Sequence, residues 1–408
     1  MSATLEMAPS AKAGRARNSG RPPTASRLAV AALFLMNGTI FGTWVSRIPA
    51  IQAERGLSHG ALGFALLGLA LGALVSMPMA GRLSARLGSD RVCRQQSLIY
   101  CLSLPLLALA PGFVGLALLL FGFGLSHGAL DIAMNAQAVA VEKRYARPIM
   151  SSFHALFSLG GLLGSAMGGL IAWAGIAPFW HFVGMSLLLA ALTLRIGLPH
   201  LISDREVAPP ARKVAVSLAP PVRRSRALIT IGIVAFCVMM GEGAMADWTG
   251  VYLRKELHSS EALAAAAYAA FSITMATARF VGDGLIVRVG AVGLARLGGL
   301  FAAGGMALAL LSASPLLAML GFACVGLGFA TIVPMAFSAA GQTPGVSAGV
   351  ALATASTIGY FGFLIGPPLI GLAAELLGLR GALAIILVSS LLIILLAPAV
   401  RVRAPAPR

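Results

Sequence analysis

Charged residues are scarce in this chain of 408 residues, and acidic residues are scarcer than basic ones. Lys, Arg, Asp and Glu make up 11% of the sequence, with 13 acidic against 30 basic residues. A soluble domain carries about a quarter charged residues. Because 58% of this chain is hydrophobic, burying it in water would need a core larger than domains of this size build. The composition excludes an ordinary soluble protein and favours a lipid environment.

Cysteine and catalytic motifs are also sparse. The four cysteines, at 93, 101, 237 and 324, show no CxxC or Cys/His spacing, so neither a disulfide framework nor a metal site is expected. The chain has no HExxH zinc motif and no GxxxxGK[ST] phosphate loop. Its GxSxG matches, at 56–60, 124–128 and 345–349, fall within or next to apolar runs and not at the strand-to-helix turn that this motif needs for catalysis. We therefore expect no enzyme, no cofactor, and no transport driven directly by ATP on this chain.

Long apolar runs make up most of the sequence. A run of about 20 apolar residues crosses the hydrocarbon core of a bilayer as a helix, and a helix satisfies its own backbone groups there. The runs lack the alternation of barrel strands. The sequence predicts an all-α membrane protein with twelve transmembrane helices, near 28–50, 60–80, 95–111, 114–140, 149–173, 178–198, 227–252, 261–281, 291–312, 315–339, 347–373 and 381–400.

Polar stretches divide these runs into two sets of six. Residues 1–27 are basic and rich in Pro, Ser and Gly, which predicts a disordered cytoplasmic tail. The longest polar interruption, 199–226, is a predicted cytoplasmic linker between a six-helix bundle at 28–198 and a second bundle at 227–400. A short tail, 401–408, follows.

Lysine and arginine predict the orientation. With both termini in the cytoplasm, 25 of the 30 basic residues fall on the cytoplasmic side, as the positive-inside rule requires. Because these residues are spread over short loops, their expected partners are anionic lipid headgroups rather than nucleic acid. The expected location is a bacterial inner membrane.

Glycine and arginine motifs recur in the two halves. Duplicated halves with a binding site between them are a common transporter architecture, and small residues at fixed spacing let helices approach closely. The paired features are Gly160/Gly164/Gly169 with Gly362/Gly366/Gly371, Gly122/Gly124 with Gly326/Gly328, and Arg86-Leu-Gly88 with Arg288-Val-Gly290.

Several motifs carry a family resemblance. The loop after the second run, 81–88, reads GRLSARLG, and Gly282-Asp283 with Arg288 is its counterpart in the second half. These loops resemble the signature of the major facilitator superfamily. Its loop normally has an acidic residue where this chain has Ala85, and Asp90 or Asp283 could replace that residue. The resemblance implies gating roles for Arg86, Asp283 and Arg288.

Four further stretches, at 42–49, 131–135, 148–154 and 242–248, read GTWVSRIP, DIAMN, PIMSSFH and EGAMADW. They resemble the YbjJ-like branch of that superfamily, which is related to fucose–proton symporters. The similarity covers roughly residues 28–400. It implies two pseudo-symmetric six-helix bundles around a central cavity that opens alternately to the two sides.

One acidic residue lies near the middle of the fourth predicted helix. Asp131 has His127 four residues before it and Asn135 four residues after it, so the three side chains form one stripe. A carboxyl group that alternates between dry and wetted surroundings can carry a proton across, and histidine titrates in a useful range. Asp131 is the predicted proton carrier, with His127 modulating it; a structural hydrogen-bond network is the alternative.

The seventh predicted helix contains two more acidic residues. Glu242 lies near its centre and is a candidate proton-coupling or substrate residue. Asp247 points about 140° away from it on a straight helix, so the two do not form a carboxylate pair. Asp247 is expected to be a periplasmic gate partner of Arg47, and a fixed salt bridge is the alternative.

Candidate solute contacts complete the predicted site. Tryptophans 44, 173, 180 and 248 fall near periplasmic helix ends, which is typical of an aromatic belt. Trp44 and Trp248 lie on helices 1 and 7, which line the cavity in the superfamily, so they are also candidates for stacking on a solute. The other candidate substrate contacts are Asn37, Asn135, His154 and Tyr360. His154 could equally cap the inner loop, and His181 is expected at the interface with water.

The leading hypothesis is proton-coupled uptake of a small polar solute such as a sugar by a monomeric secondary transporter. Proton-driven efflux of a drug or metabolite and a non-transporting membrane receptor remain as alternatives. A few polar side chains in a cavity suit many solutes, so the sequence does not name one.

Overall fold

The computed structural model describes residues 24–145, 149–203, 225–344, 346 and 348–401. Within these residues the chain is helical, with short turns and no strand. The predicted 401–408 tail, apart from Arg401, and most of the 1–27 tail and the 199–226 linker lie outside the described residues. Residues 24–27, predicted as tail, are the first turn of a helix instead.

Twelve helices are present in this part of the chain. A five-residue π turn, Thr193–Gly197, follows α6, and a 3₁₀ turn, Ala397–Val400, follows α12. The helices are α1 (Thr24–Glu54), α2 (His59–Leu87), α3 (Ser89–Ala108), α4 (Gly112–Tyr145), α5 (Met150–Trp173), α6 (Pro178–Leu192), α7 (Arg226–Lys255), α8 (Glu261–Val289), α9 (Ala291–Leu311), α10 (Pro315–Phe329), α11 (Ile332–Gly341) and α12 (Ala348–Leu396).

Helices and membrane spans do not correspond one to one. The backbone of α12 leaves helical geometry at Gly378 (φ 72°, ψ 162°), so this element contains two spans. Helices α10 and α11 together make one apolar span, Pro315–Gly341. Ten described stretches are long and apolar enough to cross a membrane. One of them is α12, which contains two spans, so these stretches give eleven spans. Helix α3, whose first turns carry polar residues, is the twelfth. The described chain thus has the predicted twelve spans, six in each half.

The two halves repeat each other at an offset of 202 residues. Ser58 and Ser260 cap α2 and α8 by accepting hydrogen bonds from Ala61 N and Leu263 N. The same two helices end at Gly88 (φ 94°) and Gly290 (φ 77°). A positive φ of this kind favours glycine, which explains why the Arg-x-Gly motif recurs.

The repeated glycines bring equivalent helices into close contact. A Cβ atom on Gly160 would lie 2.2 Å from the carbonyl oxygen of Leu35, and one on Gly362 would lie 2.5 Å from that of Phe236. Helix α5 therefore packs on α1 as the first segment of α12 packs on α7. The glycine pattern is the sequence cause of this pairing, because larger side chains would hold the backbones apart.

The halves meet mainly along two pairs of helices, α5 with α8 and α2 with α12, and α1 also touches α7 and α8. Ser165 Oγ donates to Ala265 O at 2.9 Å in the first interface, and a Cβ on Gly63 would lie 2.5 Å from Pro367 O in the second. We call the end of the bundle that carries the turns at 55–58, 174–177 and 256–260 the Arg47 end. The opposite end, where the linker joins the halves, is the linker end.

Candidate functional site

The predicted stripe on α4 forms two hydrogen-bonded groups. Asn135 Nδ2 donates to the backbone oxygen of Asp131 at 2.8 Å and to its Oδ1 at 3.2 Å. One turn earlier, His127 Nδ1 lies 3.0 Å from Asn37 Oδ1 on α1. The i, i+4 spacing therefore places Asn135 on the carboxylate, while the histidine bonds to a different helix.

Asn37 is fully buried behind this stripe. Its Nδ2 lies 3.6 Å from Met134 Sδ, and the His127 ring lies between Phe41 and Tyr100, with centroids 5.9 and 5.4 Å away. Asn37 thus orients His127 from inside the N-terminal half. It has no accessible surface for a solute in this conformation.

Glu242 on α7 forms an ion pair that the sequence analysis did not anticipate. Arg279 Nη2 lies 3.3 Å from Glu242 Oε1, with the two side chains 27% and 19% exposed. Arg279 is one of the 25 basic residues assigned to the cytoplasmic side, but its side chain reaches back into the bundle from α8. Its position inside the apolar run 261–281 was the available signal, because a charge within such a run usually faces a partner or a cavity.

Arg279 also connects the two halves. Its Nη1 donates to Ser158 Oγ on α5 at 3.2 Å, and its Nε lies 3.5 Å from Ala330 O. His154, one turn before Ser158, is exposed, packs edge-on against Phe34 and interacts electrostatically with Arg279. His154 thus lies near the Arg279 group, and among the described residues its side chain makes no hydrogen bond to Asp131.

Two tyrosines extend the site across the interface. Tyr360 on α12 is 39% exposed and lies within electrostatic range of both Asp131 and Glu242. Tyr268 on α8 stands edge-on to Phe41 of the opposite half at 6.3 Å. It also interacts electrostatically with Asp247. Tyr360 thus lies near carboxyl groups of both halves.

These groups border an internal space. Asp131, Glu242 and Asp247 lie deep among the surrounding helices, yet each side chain keeps part of its surface accessible. A side chain that is surrounded by protein and still accessible must face an enclosed or channel-like space. The site is therefore a polar, aromatic-lined region between the halves.

Arg47 forms the main polar contact at the Arg47 end. Its Nη1 lies 2.7 Å from Glu261 Oε1 at the start of α8, its Nε donates to His181 Nδ1 at 3.2 Å, and its Nη2 donates to Ile176 O. Glu261, and not Asp247 as predicted, is the acidic partner. His181 is only 2% exposed, so it belongs to this buried network and not to the interface with water.

A second acidic contact closes the same end on the α2–α12 side. Glu375 Oε1 accepts a hydrogen bond from the backbone N of Gly60 at 2.6 Å. Because the first backbone N–H groups of a helix lack partners within it, Glu375 caps α2 from the other half of the protein. Beside the Arg47–Glu261 pair lies a cavity of about 230 Å³, lined in part by Glu54 and Arg254.

The four tryptophans separate into two pairs. Trp173 and Trp180 are 80% and 66% exposed on the outside of the bundle, where an aromatic belt would lie. Trp44 and Trp248 have no accessible surface; Trp44 packs on Phe182 and Trp248 on His59. Stacking of either buried ring on a solute would require another conformation.

The predicted loop gate lies at the linker end. Arg86 and Arg288 are exposed in the last turns of α2 and α8 and make no ion pair among the described residues. The side chain of Asp283 lies outside the described residues. The part of the chain that is described contains no cluster of His, Cys, Asp and Glu able to hold a metal ion.

Comparison with known families covers most of the chain. Residues 28–349 match the family model of the Major Facilitator Superfamily. The chain belongs to the major facilitator superfamily. An uncharacterized transporter, y4wD, of Sinorhizobium fredii is 38% identical over 91% of this chain and 97% of its own length. The membrane protein MosC of Rhizobium meliloti is 34% identical over 88% of this chain and 86% of its own.

Solved structures confirm the fold. The nucleoside transporter NupG in its D323A form superposes with a TM-score of 0.74 at 15% identity, covering 92% of this chain and 98% of its own. A D-xylose–proton symporter superposes with a TM-score of 0.70 at 16% identity, covering 93% and 96%. The chain is therefore a multi-pass membrane transporter of the major facilitator fold.

Proposed function

We propose that the protein moves a small polar solute through the internal space between its halves, with protons as the coupling ion. The observation that carries this proposal is the convergence of Asp131 from one half with Glu242 and Tyr360 from the other around a partly accessible interior. A carboxyl group buried in a membrane protein is energetically costly, and such groups usually serve binding or proton transfer. The D-xylose–proton symporter among the similar structures supports protons as the coupling ion.

Asp131 is the proposed proton carrier. Asn135 holds its carboxylate by a hydrogen bond, and no cationic side chain among the described residues forms an ion pair with it. Without such a partner, protonation is the available way to neutralise the charge when water is excluded. The Asn37–His127 pair fixes the neighbouring aromatic wall, and Asn135, His154 and Tyr360 remain proposed solute contacts.

Closure at the Arg47 end is the other half of the proposed mechanism. The ion pair of Arg47 with Glu261 and the cap of Glu375 on α2 both join opposite halves. Arg86, Asp283 and Arg288 are proposed to act at the linker end. Breaking one set while forming the other would expose the internal space to each side in turn, which is rocking of two rigid repeats.

We also propose a branch of the superfamily, a solute size and a membrane location for this protein. The stretches at 42–49, 131–135, 148–154 and 242–248 support the YbjJ-like branch and a solute of sugar size. The charge distribution supports a bacterial inner-membrane location with both termini and the linker end in the cytoplasm. We propose a monomer in contact with anionic lipid.

The test is the external pH of lightly buffered, de-energised cells that express the protein, recorded on addition of each member of a solute panel. Wild type, Asp131→Asn and the exposed-site control Arg296→Gln are compared. Alkalinisation by one solute in wild type and control, abolished in Asp131→Asn, is the expected result. Both variant proteins are quantified in membranes first, so that loss of expression is not read as loss of coupling.

Other outcomes contradict particular parts of the proposal. Acidification would establish antiport, which is the efflux alternative. Alkalinisation that persists in Asp131→Asn would move proton carriage to another group, with Glu242 the next candidate. Saturable solute flux without any pH change would remove the proton from the mechanism, and absence of flux for the whole panel in vesicles would favour the receptor alternative.

A further inference from the structure

Arg279 is incompletely bonded for a guanidinium inside a membrane protein. Its three contacts, to Ser158, Glu242 and Ala330, measure 3.2, 3.3 and 3.5 Å. Charge-assisted N–H···O bonds are normally about 2.7–2.9 Å long. The Arg47–Glu261 bond in the same protein is 2.7 Å. Arg279 therefore has donor capacity left, and its side chain is 27% exposed.

Polar side chains surround Arg279. Ser158 Oγ on α5 accepts from its guanidinium, and His154 lies on the same helix within electrostatic range. Tyr268, on the same helix as Arg279, interacts electrostatically with it and bonds to Ser272. A guanidinium with neighbouring hydroxyl and imidazole groups suits a planar oxyanion, which arginine binds with two parallel N–H bonds.

We propose that Arg279 is the binding site for a carboxylate carried by the transported solute, and that this carboxylate and ionised Glu242 compete for the guanidinium. This proposal rests on the proposed function and narrows its substrate class to small polar organic acids. The geometry behind it is a cation shared between the halves, held loosely by one carboxylate, on an accessible interior surface.

Competition at Arg279 would couple the anion to a proton. In a medium of low dielectric constant an arginine needs one anionic partner, and a second nearby anion is repelled. When the solute carboxylate occupies the guanidinium, Glu242 loses its partner and takes up a proton. When the solute leaves, Glu242 releases that proton and returns to Arg279. The charge at this pair stays constant, and Glu242 carries one proton with each carboxylate, in addition to the proton on Asp131 that transport requires.

The groups that face this pair come from several helices. They are His154 on α5, Tyr268 on α8, Tyr360 on α12, and, within range of these tyrosines, Asp247 on α7 and Asp131 on α4. Among these groups Glu242 is the one in direct contact with the guanidinium. Its protonation is therefore the step that should set the pH dependence of anion binding.

The test uses purified full-length protein in detergent and matched probe pairs. Acetate, L-lactate and D-gluconate are compared with their neutral counterparts ethanol, 1,2-propanediol and D-glucitol, and binding is followed as a shift in melting temperature at pH 5.5 and 7.5. For at least one carboxylate we expect stabilisation that its neutral counterpart lacks, stronger at pH 5.5, where Glu242 competes less. Ligands that bind only the folded state raise its stability in this way.

Four variants separate the contributions. Arg279→Gln should weaken the apparent affinity at least tenfold, and Arg279→Lys should weaken it less, because the charge remains. Glu242→Gln should retain binding and lose most of the difference between the two pH values. Arg296→Gln, an exposed arginine on α9, should match wild type.

Three outcomes would overturn the proposal: no stabilisation by any carboxylate, equal stabilisation by the neutral partners, or full binding in Arg279→Gln. If a neutral solute causes Asp131-dependent alkalinisation of cells that express the Arg279→Gln variant, the proposed anion site is wrong and proton-coupled transport is supported. Absence of all flux would count against transport itself, which distinguishes the two failures.

Discussion

Arg47 on α1 and Glu261 on α8, 214 residues apart, join the two halves of the transporter through an ion pair of 2.7 Å. Arg47 has no accessible surface, whereas Glu261 is 46% exposed. The guanidinium also donates to His181 and Ile176 of its own half. The first half thus holds Arg47 in place, and the guanidinium faces Glu261 of the second half. A contact that closes this end needs such an arrangement.

Replacement of Glu261 by Gln should favour opening of the Arg47 end. The variant exchanges a charge-assisted bond for a neutral one, and we expect a loss of about 1–2 kcal/mol, reduced because Glu261 is partly hydrated. A loss of that size changes the ratio of closed to open molecules by about five- to thirty-fold. Spin labels at Ala53→Cys and Lys255→Cys, with Cys324 replaced by Ser, would report the change as a longer-distance population.

Glu256→Gln is the matched control for this measurement. Glu256 lies in the turn just before Glu261, and the ion pair of Arg47 is with Glu261, so neutralisation of Glu256 should leave the distance distribution unchanged. Glu375→Ala, which removes the cap on α2, should open the same end independently. An unchanged distribution in Glu261→Gln would show that the ion pair does not hold this end closed.

Alanine at either repeated glycine should destabilise its half of the protein. A methyl group at Gly160 or Gly362 would meet a backbone oxygen of the facing helix, and overpacking of this kind costs about 1–3 kcal/mol. Thermal unfolding in detergent should show a lower melting temperature for Gly160→Ala and for Gly362→Ala. Gly304→Ala, where no atom lies within 4 Å of the new methyl group, should unfold at or slightly above the wild-type temperature.

The proposed orientation predicts which end reacts from outside the cell. A cysteine at Lys255, exposed at the Arg47 end, should react with a membrane-impermeant maleimide in intact cells. A cysteine at Arg91, exposed at the linker end, should react only after permeabilisation. Both are placed in the Cys324→Ser background, since the other three cysteines are buried. The reverse pattern would invert the proposed topology.

The helices and the internal repeat could be read from local sequence. Apolar runs of membrane length have few alternatives to helix formation, and Ser58, Gly88, Ser260 and Gly290 mark the same helix ends in both halves. The break between α10 and α11 and the helical start at Thr24 were not anticipated. Ends of helices depend on weak local preferences that packing overrides.

The polar partners were less accessible to sequence reasoning. The periodicity of α4 correctly grouped Asn135 with Asp131, because both lie on one helix four residues apart. Arg47 was matched with Asp247 by depth along two helices, but its acidic partner is Glu261 at the start of α8. Arg279 is placed by its sequence position near the predicted cytoplasmic end of α8, and its long side chain reaches Glu242 inside the bundle.

The sequence by itself determined the lipid environment, the helical class and the duplication, since each depends on composition or on spacing along a single helix. Only the tertiary structure decided that Glu261 pairs with Arg47, that Arg279 bridges Glu242 and Ser158, and that Trp44 and Trp248 are buried. The physical reason is that a helix's sequence specifies which face is polar, whereas its rotation and tilt against the neighbouring helices decide which groups that face meets.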